Sequence, residues 1–226
     1  MIAVVTGAGR GIGKAIARVL AREGCHVALL GRSIETLAET AEEITRIGGH
    51  ALAVPCDVSL GTVLTEAASR VTHDLGVPDI VVANAGVVVR APITTMSEQE
   101  WDHVLDVNLK GTFLTVRAFL PRMLELQRGR FIAIASISAT LGTARQSAYC
   151  ASKWGTVGFV KSLAEELRGT GLQAMSVLPG TTDTDMLKGG TFEAVMKPEH
   201  VAATVSFLAL EAPDAMNGSS VEVFGP

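Results

Sequence analysis

A tyrosine and a lysine stand four residues apart in "YCASK", residues 149–153. On a helix that spacing puts Tyr149 and Lys153 on one face, a turn apart. The pair is either a surface coincidence or an acid–base device. A phenol ordinarily titrates near pH ~10, and a neighbouring cation favours its ionised form. Cys150 points about 100° away from Tyr149 on the same helix, so packing is its expected role. A second stretch with chemical potential is "TGAGRGIG", residues 6–13. Gly7, Gly11 and Gly13 bracket a turn completed by Gly9, Arg10 and Ile12. Glycines permit a tight turn and let backbone N–H groups approach a pyrophosphate at a helix N-terminus. Gly13 allows the helix to lie close on its strand. A ligand-free glycine turn is the bland alternative, but this one opens the first strand–helix unit, as the binding mechanism requires.

The end of the second strand reads Gly31, Arg32, Ser33. A carboxylate there, about 20 residues past the glycines, would bond a ribose 2′-hydroxyl. None is present, and Glu35 comes only in the following helix. Arg32 offers a charged fork suited to a 2′-phosphate, and Arg10 is expected to reach the same phosphate. The cofactor expected is therefore NADP(H) rather than NAD(H).

These residues need elements to position them. Apolar runs at 2–6, 26–30, 51–55, 79–83, 130–136, 172–178 and 220–224 alternate with amphipathic stretches at 12–23, 34–47, 60–75, 98–127, 147–168 and 198–210. The runs are continuous, as in strands covered on both faces. The rhythm predicts an α/β fold: one Rossmann-type domain over 1–226, a doubly wound parallel sheet of about seven strands with helices on both faces. "CDVS" (56–59), "ANAG" (83–86), "IASIS" (134–138) and "PG" (179–180) all fall at strand carboxyl ends, where such sheets bind ligands. The stripe Trp101, Leu105, Leu109 and Phe113 is expected in the core, and Trp154 and Phe159 against the sheet or a subunit partner.

Bulk properties narrow the function classes. The chain has 226 residues, 48% apolar and 19% charged, with a net charge of −4 and no basic tract. Neither nucleic acid nor a membrane surface is an expected partner. The opening "MIAVVTGAGRG" reads as a strand and turn rather than a signal peptide. No apolar run approaches the ~20 residues of a membrane helix. Three cysteines without metal-type spacing point to free thiols in the cytoplasm. The five histidines are scattered, so no metal site is expected.

The order "TGAGRGIG", "DV", "NAG", Ser136, "YCASK", "PG" resembles the short-chain dehydrogenase/reductase family across essentially the whole chain. That resemblance implies a role for each matching residue. Tyr149 is the general acid or base at a carbonyl or secondary alcohol. Lys153 lowers its pKa and bonds the nicotinamide ribose. Ser136, 13 residues before Tyr149, holds the carbonyl oxygen, with Ser138 the competing candidate. Asn108 supports a water relay to the lysine, helix packing being its alternative role. Asp57 and Val58 bond the adenine. Asn84, Ala85 and Gly86 run along the cofactor, and Pro179, Gly180, Thr182 and Thr184 complete its site. Thr182 stands where relatives often carry isoleucine, and "ANAG" replaces the commoner "NNAG". The segment 186–198 stands where relatives build a substrate lid, short here, with Gly189 and Gly190 as a hinge, a simple connection to the next helix being the alternative. Helix pairing into a homodimer or homotetramer is a further expectation. The activity implied is NADP(H)-dependent carbonyl reduction or alcohol oxidation. A 3-oxoacyl-(acyl-carrier-protein) reductase is one alternative, and an NADP(H)-binding redox sensor is another of a different class.

Overall fold

The computed structural model describes residues 1–189 and 192–225. Gly190, one half of the expected hinge, lies outside the described residues. Seven strands form one sheet: β1 (Ile2–Thr6), β2 (His26–Gly31), β3 (His50–Pro55), β4 (Ile80–Ala83), β5 (Gly129–Ile134), β6 (Leu172–Pro179) and β7 (Ser220–Val223). All neighbours pair in parallel, in the order β3-β2-β1-β4-β5-β6-β7. The helices are α1 (Gly11–Arg22), α2 (Ile34–Arg46), α3 (Gly61–Asp74), α4 (Glu98–Leu105), α5 (Gly111–Leu126), α6 (Ser147–Glu166) and α7 (Pro198–Leu210).

The continuous apolar runs are explained by burial on both faces. In β1, Ala3 and Val5 join one core with Ile16 and Leu20 of α1, Leu37 and Ile44 of α2, and Val205 and Leu208 of α7. Val4 points the other way, toward Leu64 of α3, Phe119 and Met123 of α5, and Leu163 of α6. Successive side chains of a strand face opposite sides, so only an all-apolar strand satisfies both cores. The winding direction reverses between β1 and β4, which opens a crevice at their carboxyl ends.

Two expectations are corrected. The single helix expected over 98–127 is interrupted by a π-helical turn, Asp106–Lys110, between α4 and α5. Gly111 N–H donates to Asp106 O there, and Thr112 Oγ1 donates to Asn108 O (2.7 Å). The stripe expected in the core is only partly covered. Trp101, Leu105 and Leu109 are half-buried, and Phe113 is 41% exposed. Trp154 on α6 is 55% exposed, while Phe159 packs partly into the core and meets Phe113 edge-on.

After β6 the chain is stapled to itself. Val195 and Met196 both donate N–H to Thr181 O, and Asp183 N–H donates to Met196 O. Between these anchors Asp185–Leu187 form one short helical turn.

Candidate active site

Tyr149 and Lys153 lie on the inner face of α6 and are buried. Lys153 Nζ donates to Ile134 O at 2.7 Å, mooring the ammonium to the last carbonyl of β5. It lies 5.6 Å from the centre of the Tyr149 ring. Two residues beyond Ile134, Ser136 begins a single helical turn, Ile137–Ala139. Ser136 Oγ accepts the Ser138 N–H (3.1 Å) and also acts on the Tyr149 phenol. Ser152 completes the cluster: its Oγ donates to Tyr149 O (2.7 Å) and accepts from Asn108 Nδ2 (3.0 Å).

Asn108 sits in the π turn. Its Oδ1 accepts from Val87 N–H (2.8 Å), and its Nδ2 donates to Val87 O (2.9 Å) as well as to Ser152. Both ends of the amide are thus used, and they tie the segment after β4 to α6.

Electrostatics in the cluster depart from the sequence-based expectation. Burial pushes the Tyr149 phenol above its ordinary value. The Ser136 hydroxyl opposes this most, and Arg90 opposes it through its charge. Burial also pulls Lys153 down to about 8. The expected lowering of the phenol by the lysine is not met in the protein alone, because both groups are removed from water together. Near pH 7 the phenol holds its proton and the lysine is still largely charged.

The glycine turn lies across the crevice. Gly7 has φ +66°, which excludes most side chains. A Cβ on Gly13 would collide with Gly7 O and Asn84 Nδ2, so glycine is required for α1 to approach β1. Gly9 abuts Thr36 of α2, and Gly11 lies against the Thr184 side chain. Asn84 Nδ2 donates to Thr6 O (2.9 Å), and the N–H groups of Asn84 and Ala85 both donate to Thr6 Oγ1 (2.9 and 3.0 Å). Ile12 packs against the core. Pro179 ends β6, Gly180 N–H donates to Val223 O (2.8 Å), and Thr182 pairs with Met196. Gly86 approaches both Asn108 Oδ1 and Lys153 Nζ.

The family model described as short chain dehydrogenase matches residues 1–192. The chain belongs to the short-chain dehydrogenases. The 3-oxoacyl-(acyl-carrier-protein) reductase of Staphylococcus epidermidis is 35% identical over 236 residues, covering 99% of this chain and 97% of that protein. Among solved structures, a short-chain type dehydrogenase/reductase from Mycobacterium marinum superposes with a TM-score of 0.95 at 31% identity, covering 99% of this chain and 94% of that one. A 3-oxoacyl-(acyl-carrier protein) reductase from Brucella melitensis gives 0.92 at 31% identity, with 99% and 90% coverage.

Short-chain dehydrogenases use a nicotinamide cofactor, and the glycine turn fits one. No side chain caps the N-terminus of α1, so its first N–H groups remain free for a pyrophosphate. Asp57 Oδ1 accepts from Ser59 N–H (2.9 Å) and Ser59 Oγ (2.7 Å). Burial raises its pKa, but Ser59, Arg32 and His103 together outweigh that and hold the carboxyl below its ordinary value. Val58 is buried against Gly111. Arg32 is exposed at the end of β2. Ser33 caps α2, accepting Thr36 N–H, and its hydroxyl donates to Glu35 (2.7 Å). Arg10, exposed in the glycine turn, pairs with Asp185 at 3.5 Å.

Three contributors escaped sequence reasoning. Thr6 ties the ends of β1 and β4, Ser152 links Asn108 to α6, and Arg90 reaches the segment after β6. Thr6 directly precedes the glycines and Ser152 directly precedes Lys153, so proximity to a motif was the available signal. Arg90 had none.

Proposed function

We propose that the protein is an NADP(H)-dependent carbonyl reductase in which Tyr149 is the proton donor. The observation that carries this reading is the Tyr149–Ser136–Lys153 cluster at the mouth of the crevice between β1 and β4. The bound nicotinamide supplies the hydride. Ser136 and Tyr149 orient the carbonyl oxygen, and Tyr149 holds at its hydroxyl the proton that this oxygen takes. Lys153 stabilises the phenolate left behind, at a distance where its charge acts in a dry site. A phenol whose pKa is raised by burial is protonated at neutral pH, which suits the reductive direction. Asn108 and Ser152 fix α6 against the strand after β4, and so fix the donor's position.

Arg32, exposed where family members choose their cofactor, supports NADP(H). The aromatic residues left outside on α5 and α6, Phe113 and Trp154, support pairing of two copies through these helices. A second reading, reduction of a carrier-bound 3-oxoacyl chain, is favoured by the relatives from Staphylococcus and Brucella. A cofactor-binding sensor would need no proton donor, so the complete cluster disfavours that alternative.

The test is NADPH consumption with a panel of ketones, aldehydes, oxo acids and an acetoacetyl thioester, repeated with NADH and with Arg32→Ala. NADPH is expected to be preferred, and Arg32→Ala is expected to weaken NADPH about tenfold or more while leaving NADH less affected. Equal or better use of NADH by the parent protein would overturn the cofactor assignment.

A further inference from the structure

The strand end after β4 continues as Val87, Val88 and Val89, which pack with Tyr149, Ala148 and Val104 in one apolar cluster. The next residue is Arg90. Its guanidinium stands where three segments meet. Nη2 donates to Met186 O (2.8 Å), in the turn after β6. The neighbouring Ala91 N–H donates to Arg145 O (3.0 Å), in the loop before α6. Nε is buried and has no hydrogen-bond partner among the described residues. Among the described residues, Arg90 makes no ion pair.

A guanidinium cannot shed its charge. Held half-buried without a counter-ion, it carries a desolvation cost that its surroundings leave uncompensated. Most surface arginines escape this by extending into water, whereas Arg90 is tied back by Met186. The three valines that precede it pack with Tyr149, so the chain brings Arg90 close to the reacting centre. Arg145, exposed and also without an ion pair among the described residues, holds a left-handed backbone at φ +65°. Non-glycine residues seldom adopt that conformation, and it concentrates at functional sites. Arg90, without a carboxylate partner among the described residues, thus stands at the end of the apolar wall of the proton donor.

We propose that Arg90 is the substrate-recognition residue of this site, and that it takes the carboxylate of an oxo acid whose carbonyl is held by Tyr149 and Ser136. The substrate carboxylate supplies the missing counter-ion. The valine wall takes the carbon chain between the two polar ends. The inference rests on the carbonyl-reductase reading and narrows its substrate class.

The experiment uses a series of oxo acids with increasing separation between carbonyl and carboxylate, each paired with its methyl ester. For the parent protein, at least one acid is expected to show a kcat/KM about ten- to a hundredfold above its ester, the range of a charge-assisted hydrogen bond. In Arg90→Gln this ratio should collapse toward one, and Arg90→Lys should retain part of it. Calorimetric titration of the preferred acid into the parent protein and both variants gives an activity-free reading, with affinity falling in the same order. If the parent reduces every ester as well as its acid, the inference fails while the carbonyl-reductase reading stands, whether or not a variant folds. If no carbonyl compound is turned over but acid binding depends on Arg90, that reading falls and the anion site stands. An unchanged acid-to-ester ratio in Arg90→Gln also overturns the inference.

Discussion

Lys153 gives a prediction that can be worked through in numbers. Its ammonium is buried and held by one hydrogen bond, to Ile134 O at 2.7 Å. Burial lowers its pKa from 10.5 to about 8. Below the folded value both folded and unfolded chains carry the proton, and the folded state bears the full cost of the buried charge. At about 1.36 kcal/mol per unit, a drop from 10.5 to about 8 corresponds to roughly 3 kcal/mol. Between these two values the unfolded chain keeps a proton that the folded protein has released, so stability rises with pH. Lys153→Met removes this titration. The lost hydrogen bond to Ile134 O costs the variant the same at every pH and cancels from the comparison. Relative to the variant, the parent should therefore gain roughly 2–3 kcal/mol between pH ~7 and pH ~10. Urea denaturation of both proteins at the two pH values measures it. A stability difference that stays constant to within about 0.5 kcal/mol would refute the claim that the ammonium is buried at a cost.

The ties around the crevice give two more expected outcomes. Thr6→Val removes the acceptor of the Asn84 and Ala85 N–H groups while keeping the shape. It should cost about 2–4 kcal/mol, from the penalty of unpartnered buried N–H groups; a urea midpoint matching the parent's would show that these groups find other partners. Ser136→Ala should lower kcat by about two to three orders of magnitude, as loss of an oxyanion-type donor does, whereas Ser138→Ala should cost less than about tenfold. Equal losses in steady-state assays would remove the distinction between the two serines.

The sheet was legible because β1 and β4 are apolar on both faces, a pattern that a doubly covered parallel strand requires. The glycine turn was legible because Gly7 and Gly13 meet steric demands that no other residue satisfies. The interruption at Asp106–Lys110 was not legible, since hydrophobic periodicity does not register one π-helical turn, and neither was the exposure of Phe113. The identities of Tyr149 and Lys153 could be read, but their proton affinities could not. Those depend on how completely α6 and β5 exclude water from the pair. Arg10 illustrates the same limit: its charge was visible, while its engagement with Asp185 required the path of the chain after β6. Arg90 lies in no motif, and its importance comes from three segments that meet only in the folded chain.

The central claim is that the Tyr149 hydroxyl delivers the proton. Tyr149→Phe removes one oxygen atom from a buried ring and leaves the glycine turn untouched. Its most direct test pairs NADPH oxidation, using the best carbonyl substrate of the parent protein, with fluorescence titration of NADPH binding. Turnover is expected to fall by about three orders of magnitude or more, with NADPH affinity within about threefold of the parent's. Turnover by Tyr149→Phe at the parent rate would contradict the claim.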